Sequence, residues 1–323
     1  MAELTYREAV PLALAQEMRR DPDVVLIGED IGAGGVFKTT KGLLEEFGAI
    51  RVRDTPISEQ AIVGATMGAA MAGLRPVAEI MFSDFYATCW DGVVNEIAKA
   101  RYMSGGQVRL PLVIRSANGG GLGFGSQHSQ AVENWAMCVP GLKIVSPSTP
   151  ADMAGLLAAA IRDDDPVLVF EHKGLFGTRG DVPDGEAYVP LGEAAMPRSG
   201  EDVTIVALAT TVPMSLAAAE LLAEQGVSAE VIDLRCLVPL DARTVLESVG
   251  RTGHLVIAEE NPGQLGWGAA VAAIVAEEAF DALRGPIRRV SGGNVPLPVA
   301  KSLEDEVSPS SERITAAVMA ALG

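Results

Sequence analysis

The sequence predicts an α/β protein with two parallel-sheet domains, and three observations carry that prediction. Short apolar runs that suit buried strands alternate with longer segments of helical periodicity along almost the whole chain. The length, 323 residues, suits about two domains. Glycine is plentiful (35 residues) while aromatics make up only 5%, which suits close helix-on-sheet layers. Alternation of this kind implies parallel strands with right-handed crossovers. Ligands of such sheets gather beyond the carboxyl ends of the strands.

Thr5 and Glu8 form a capping-box pattern, so a helix should start there and run to about Arg20, with Pro11 as an internal irregularity. Val24 to Ile27 reads as a buried strand leading into Gly28-Glu29-Asp30. A helix is expected near Thr40 to Phe47, and another after Ser58, a candidate N-cap. Then come a strand at Arg75 to Ile80, one helix over Asp84 to Tyr102, a strand at Leu112 to Arg115, a flexible loop over Gly119 to Gly123, and a strand at Lys143 to Val145. Thr149, Pro150 and Asp152 are the N-cap, first-position proline and first-turn acid of a further helix. Val167 to Phe170 is the last strand of the first domain. Gly177, Gly180, Pro183, Gly185, Pro190, Pro197 and Gly200 mark a linker between Gly174 and Asp202. A second alternating unit follows, with strands at 203–208, 227–232, 254–258 and 287–290 and helices at 213–225, 241–249 and 266–280. The predicted division is 1–176, a linker 177–201, and 202–323.

A formal net charge of −17 argues against nucleic acid or an anionic membrane surface as a partner. Cys89, Cys138 and Cys236 form no CxxC pair, which points to a reducing compartment. The start has no apolar signal core and no apolar run reaches the length of a membrane span, so a cytoplasmic protein is expected. Three scattered histidines make a His-based zinc site a poor expectation.

One stretch stands out, Asp54 to Gln60 and the helix of small apolar residues after it. Pro56 holds Thr55 extended, so the helix should begin at Ser58 or just after it. Ala61 to Gly73 has almost no polar face and reads as buried. Gly64 and Gly68, one turn apart, would let a backbone or a flat ligand approach. Glu59 then sits where a loop enters an apolar helix. A carboxylate there gains from the helix dipole; it also does no more than any first-turn acid does for helix initiation. His128, after the glycine-rich loop, is a candidate acid/base group or simply a surface histidine. Phe85 begins a helix just past a strand, where an aromatic is core or stacks on a planar ring. Gly119 to Gly125 is no Walker motif, since no Lys-Ser/Thr follows.

Residues 54–60, 72–85, 101–106, 127–130 and 140–148 together resemble one family. It is the beta subunit of the thiamine-diphosphate-dependent first component of the 2-oxo acid dehydrogenase complexes, a group that includes the pyruvate, branched-chain and acetoin dehydrogenases. The likeness runs from about Tyr6 to about Pro309. It implies a transketolase-like pyrimidine-binding domain followed by a smaller transketolase C-terminal domain. It also implies that Glu59 contacts N1′ of the aminopyrimidine, where proton sharing helps the thiazolium lose its C2 proton. By the same resemblance Phe85 lies beside that ring, with Met81 and Ile57 lining the pocket, and His128 faces the substrate side, where it assists acyl transfer to lipoyl. Leu112, Ala160, Ile161, Asp163 and Asp165 fall where some relatives hold a structural potassium ion.

The Gly-Asp-Gly motif with which thiamine enzymes hold Mg²⁺ and the diphosphate is missing; Gly180-Asp181-Val182 is not one. The resemblance therefore implies half a site, completed by an alpha chain in an α2β2 heterotetramer that serves a lipoyl acyltransferase core. At Asp91-Gly92 many relatives have Asp-Gln, which leaves the substrate open between a 2-oxo acid such as pyruvate and acetoin. Residues 171–177 with 181–185 lean toward acetoin-type relatives. Two rivals remain. A split transketolase subunit would need a basic cluster for a sugar phosphate, and a non-catalytic assembly protein would not need both Glu59 and His128.

Overall fold

The computed structural model describes all 323 residues, Met1–Gly323. Contacts divide the chain into two units, and neither is continuous in sequence. The first holds Met1–Asn118 and Trp135–Leu191; the second holds Gly119–Asn134 and Gly192–Gly323. The excursion of 119–134 departs from the predicted division, and so does the stretch 177–201, which contains two strands.

In the first unit, β1 (Ala2–Thr5) leads into α1 (Tyr6–Arg20), where the capping box forms as predicted: the Glu8 N–H donates to Thr5 Oγ1 at 3.2 Å and the Thr5 N–H donates to Glu8 Oε2 at 2.8 Å. β2 (Val24–Gly28), α2 (Leu43–Arg51), β3 (Val52–Asp54), α3 (Glu59–Met71) and β4 (Arg75–Phe82) follow. Then come α4 (Tyr86–Asp91), α5 (Ala98–Met103), β5 (Val113–Asn118), α6 (Glu133–Met137), β6 (Lys143–Val145), α7 (Pro150–Arg162), β7 (Val167–His172) and β8 (Arg179–Val182). The strands order β6-β7-β5-β4-β2-β3, and every neighbouring pair is parallel. All residues of β2, β5 and β7 are buried, as expected of strands covered on both faces. β1 and β8 make a separate antiparallel pair.

The second unit contains β9 (Ala195–Arg198), β10 (Val203–Ala207), α8 (Thr211–Ala223), β11 (Ala229–Asp233), β12 (Cys236–Val238) and α9 (Ala242–Thr252). It continues with β13 (Leu255–Pro262), α10 (Trp267–Glu278), β14 (Arg288–Gly292), α11 (Lys301–Val307) and α12 (Ser311–Leu322). Its sheet orders β14-β13-β10-β11-β9, parallel except for the β9 edge. The core includes Val203, Ile205, Leu222, Val231, Val256, Ile314 and Val318. No helix in the chain is long and apolar enough to cross a membrane.

Four local expectations change. The helix expected at 40–47 starts at Leu43 and bends at Gly48, whose φ of 76° leaves the helical region. The single helix expected over 84–102 breaks at Cys89 (φ −128°) and widens into a π-helical turn over Gly92–Ile97. That turn begins where α3 comes closest: a Cβ on Gly92 would lie 3.0 Å from Val63 Cγ1. Ser58 stands at the N-cap of α3, but its hydroxyl makes no cap hydrogen bond. α3 itself is not buried all round. Ile62, Val63, Thr66 and Ala70 face the core, while Ala61, Gly64, Ala65, Gly68 and Met71 are exposed along one side.

Candidate active site

Glu59 is the first residue of α3, and it is half-buried. Thr55 donates its N–H to the Gly28 carbonyl at 2.9 Å, which ties the preceding loop to the end of β2. The Glu59 carboxylate enters no ion pair or hydrogen bond within the chain. Its charge is felt at two neighbours. Burial, and then the Glu59 carboxylate, push the Cys89 thiol up to about 12. Burial, followed by Asp30 and Glu59, raises the Glu29 carboxyl above the usual range. Residues from the loop after β2, the start of α3 and α4 thus gather beyond the carboxyl ends of neighbouring strands.

Phe85 lies in the short 3₁₀ turn after β4, half-buried, its ring 5.6 Å from Phe82 in an edge-on arrangement. Met81, also half-buried, is the second-last residue of β4. Ile57 is 76% exposed. A carboxylate at the start of a helix that packs on the strand bearing Met81 and on the helix after Phe85 suits a flat heterocycle that shares a proton.

Beneath this region lies a buried charged cluster that sequence reasoning missed. Arg115 of β5 forms a two-point pair with Glu171 of β7 and also binds Glu79 of β4. Burial raises the Glu79 carboxyl, Arg115 opposes that rise, and Glu171 adds to it. Lys173, also buried, places its ammonium 5.5 Å from the centre of the Phe82 ring, a cation–π contact. Ser83 Oγ donates to Asn118 Oδ1 at 2.8 Å. The signal was available at Glu79, a charge inside the apolar run from Pro76 to Phe82, since buried charges must be paired.

The glycine-rich loop with His128 belongs to the second unit, and there it is pinned rather than flexible. Gly120 donates its N–H to Glu260 Oε1 at 2.6 Å. Gly121 and Gly123 donate to the two oxygens of Glu304 at 2.7 and 3.2 Å. Gly119, Gly121, Gly123 and Gly125 all have positive φ, between 68° and 92°, a conformation side chains rarely tolerate. Alternate left-handed residues turn successive N–H groups toward one point, and such nests bind anions. His128 is half-buried, and its N–H donates to the Gly125 carbonyl at 3.3 Å.

Of the five residues expected around a potassium ion, Ile161, Asp163 and Asp165 have oxygens that meet protein cations. Arg75 Nη1 donates to the carbonyls of Ile161 and Asp163 at 3.0 and 3.1 Å. Lys143 Nζ binds both carboxylate oxygens of Asp163 and lies 3.8 Å from Asp165. The Leu112 carbonyl accepts from Val167 and that of Ala160 from Asp163. The cations that meet this set within the chain are thus a guanidinium and an ammonium.

Residues 2–178 match the transketolase pyrimidine-binding domain and residues 192–314 the transketolase C-terminal domain. The chain belongs to the transketolase family. Within that family it is similar to the acetoin:2,6-dichlorophenolindophenol oxidoreductase subunit beta of Cupriavidus necator, at 46% identity over 98% of this chain and 96% of that protein. It is also similar to the pyruvate dehydrogenase E1 component subunit beta of Rickettsia bellii, at 45% identity over 98% of both. A solved split-gene transketolase, described as an inactive beta4 tetramer, superposes with a TM-score of 0.82 at 25% identity, covering 99% of this chain and 98% of that one. The transketolase pyrimidine-binding match spans Glu59, Met81, Phe85 and, by sequence, His128 as well. The contacts of the His128 loop nonetheless lie in the second unit.

Proposed function

We propose that this chain is the beta subunit of a thiamine-diphosphate-dependent dehydrogenase acting on a pyruvate-type 2-oxo acid in the cytoplasm, and that it works with an alpha subunit as α2β2 alongside a lipoyl acyltransferase core. Near-full-length identity to subunits of this class supports the assignment. Thiamine diphosphate, when bound, supplies the electron sink that lets the bond beside a carbonyl break. Glu59 holds a proton at N1′ of the aminopyrimidine, while Phe85 and Met81, with Ile57 at the rim, give the ring an apolar surface and exclude water. His128 delivers a proton as the acyl group passes to lipoyl. The alpha subunit holds Mg²⁺ and the diphosphate, for which this chain has no motif.

The observation that carries the half-site reading is α3. Its exposed side of small apolar residues continues from Glu59, and a Cβ on Gly64 or Gly68 would meet nothing within 4 Å. A helix without a polar face is built to be covered, and the alpha subunit is the proposed cover. Acetoin is the second reading for the substrate, favoured by the 46% identity to an acetoin enzyme's subunit.

Co-expression with the alpha chain, followed by turnover on pyruvate, branched-chain 2-oxo acids and acetoin, tests the assignment. Calorimetry of the isolated chain with thiamine diphosphate and Mg²⁺ tests the half-site. Only weak binding is expected, and a micromolar or tighter Kd would overturn it.

A further inference from the structure

We infer that Glu304, which lies outside the pyrimidine-binding match, is a positioning residue: its carboxylate fixes the 119–125 loop and thereby the place of His128. The inference builds on the role proposed above for His128.

Glu304 is 1% exposed and lies in α11. Both of its oxygens accept backbone N–H groups of the loop, those of Gly121 and Gly123. Gly120 is held next to it by Glu260, and a Cβ on Gly120 would approach Glu304 Oε1 to 3.0 Å. The segment leading into α11 completes the seat. A Cβ on Gly123 would lie 3.0 Å from the Val299 carbonyl oxygen, and one on Gly125 only 2.9 Å from Val299 Cγ2. Gly125 in turn accepts the N–H of His128. The sequence of contacts is therefore Glu304 to Gly121 and Gly123, through Gly125, to His128. Four glycines that could take many conformations are held in one, and the holding group is a charge with no shorter substitute. The ordering cost of the loop is met by two charge-assisted hydrogen bonds, each stronger than a neutral one. Leu122 and Phe124 stay half-exposed at the loop's rim, so the rim faces outward while the amides face the carboxylate.

Glu304→Gln keeps the shape and removes one acceptor, because the Gln amide nitrogen would face an N–H. On the full chain, backbone hydrogen exchange over 119–128 should speed up on the order of tenfold, the loss of one hydrogen bond to a charge. Chymotrypsin should also cut faster after Leu122 or Phe124. In the assembled enzyme, the lipoyl-dependent rate should fall toward that of His128→Ala while turnover with an artificial electron acceptor is partly kept. The double variant should be no slower than His128→Ala alone, since residues in one chain of contacts do not add. Glu260→Gln, at the acceptor of the Gly120 N–H, should show the smaller effect in each assay.

Unchanged exchange in Glu304→Gln would overturn the anchor. Faster exchange with a wild-type lipoyl-dependent rate, or losses that multiply in the double variant, would overturn its link to His128. A silent His128→Ala would instead remove the functional reading of His128. The exchange result is independent of that outcome, so the two failures can be told apart.

Discussion

Arg115 meets Glu171 at two points, Nε to Oε1 at 2.6 Å and Nη2 to Oε2 at 2.8 Å, with both side chains buried between neighbouring parallel strands. Since Arg115 also binds Glu79, one guanidinium serves two buried carboxylates on the strands to either side of β5. Arg115→Met should therefore cost about 3–5 kcal/mol, the usual cost of leaving buried charges without their partner. Urea unfolding of the full chain measures it, and a loss below about 1 kcal/mol would place this cluster among the dispensable ion pairs.

Glu59→Gln should lower turnover of the assembled enzyme by on the order of 10²–10⁴-fold while assembly persists, because the positioned proton acceptor is gone. The same change should ease ionisation of Glu29. Its raised carboxyl favours the protonated form in the fold, so stability is lost as pH rises through that raised value. Removing the Glu59 charge brings the value down and shrinks that loss. Carboxylate NMR titration checks the direction, and an unmoved Glu29 would contradict the proximity.

His128→Ala should slow the lipoyl-dependent reaction far more than C2 hydrogen–deuterium exchange of the cofactor. An artificial electron acceptor should recover part of the rate. Equal loss with either acceptor, together with a raised KM, would make His128 a substrate-binding group instead.

Gly68→Ala should leave the isolated chain as stable or up to about 1 kcal/mol more stable, since alanine is the better helix former and open space awaits its methyl. Gly68→Leu should still fold but fail to co-purify with the alpha chain. Gly92→Ala should behave oppositely in the isolated chain, because Val63 already occupies the space. Thermal unfolding and pull-down on the three variants separate the two kinds of glycine.

Thr5→Ala should cost about 1 kcal/mol. Hydrogen bonds from Thr5 hold the Glu8 carboxyl below its ordinary value. Glu8 therefore adds stability above the unfolded carboxylate value and loses it as pH falls through the lowered one. The variant should show a flatter acid-side decline in denaturant titrations at successive pH values.

What the sequence made legible was local. Thr149, Pro150 and Asp152 signal the start of α7 within four residues, and the Thr149 hydroxyl caps it by accepting the Asp152 N–H as foreseen. Strand positions followed from apolar runs bounded by turn residues. What escaped depends on residues far apart. No pattern near Gly121 announces a carboxylate 183 positions later, so a loop rich in glycine read as flexible. α3 was misjudged for a related reason: apolar periodicity says that a face is to be covered, but not whether its own chain or another covers it. The helices α11 and α12 were not anticipated, although the Ser310 cap and the apolar run from Ala316 to Leu322 signal the second of them.

The two acceptors of the glycine loop, Glu260 and Glu304, also set an order of events during synthesis. Ribosomes add about 5–20 residues per second, so roughly ten to forty seconds separate the emergence of Gly121 from that of Glu304. The six parallel strands that the first unit itself contributes are made by residue His172, well before either carboxylate exists. During that interval the loop has no receptor, and its amides face water. The catalytic histidine proposed here thus becomes fixed late, by a segment made well after the strands it follows.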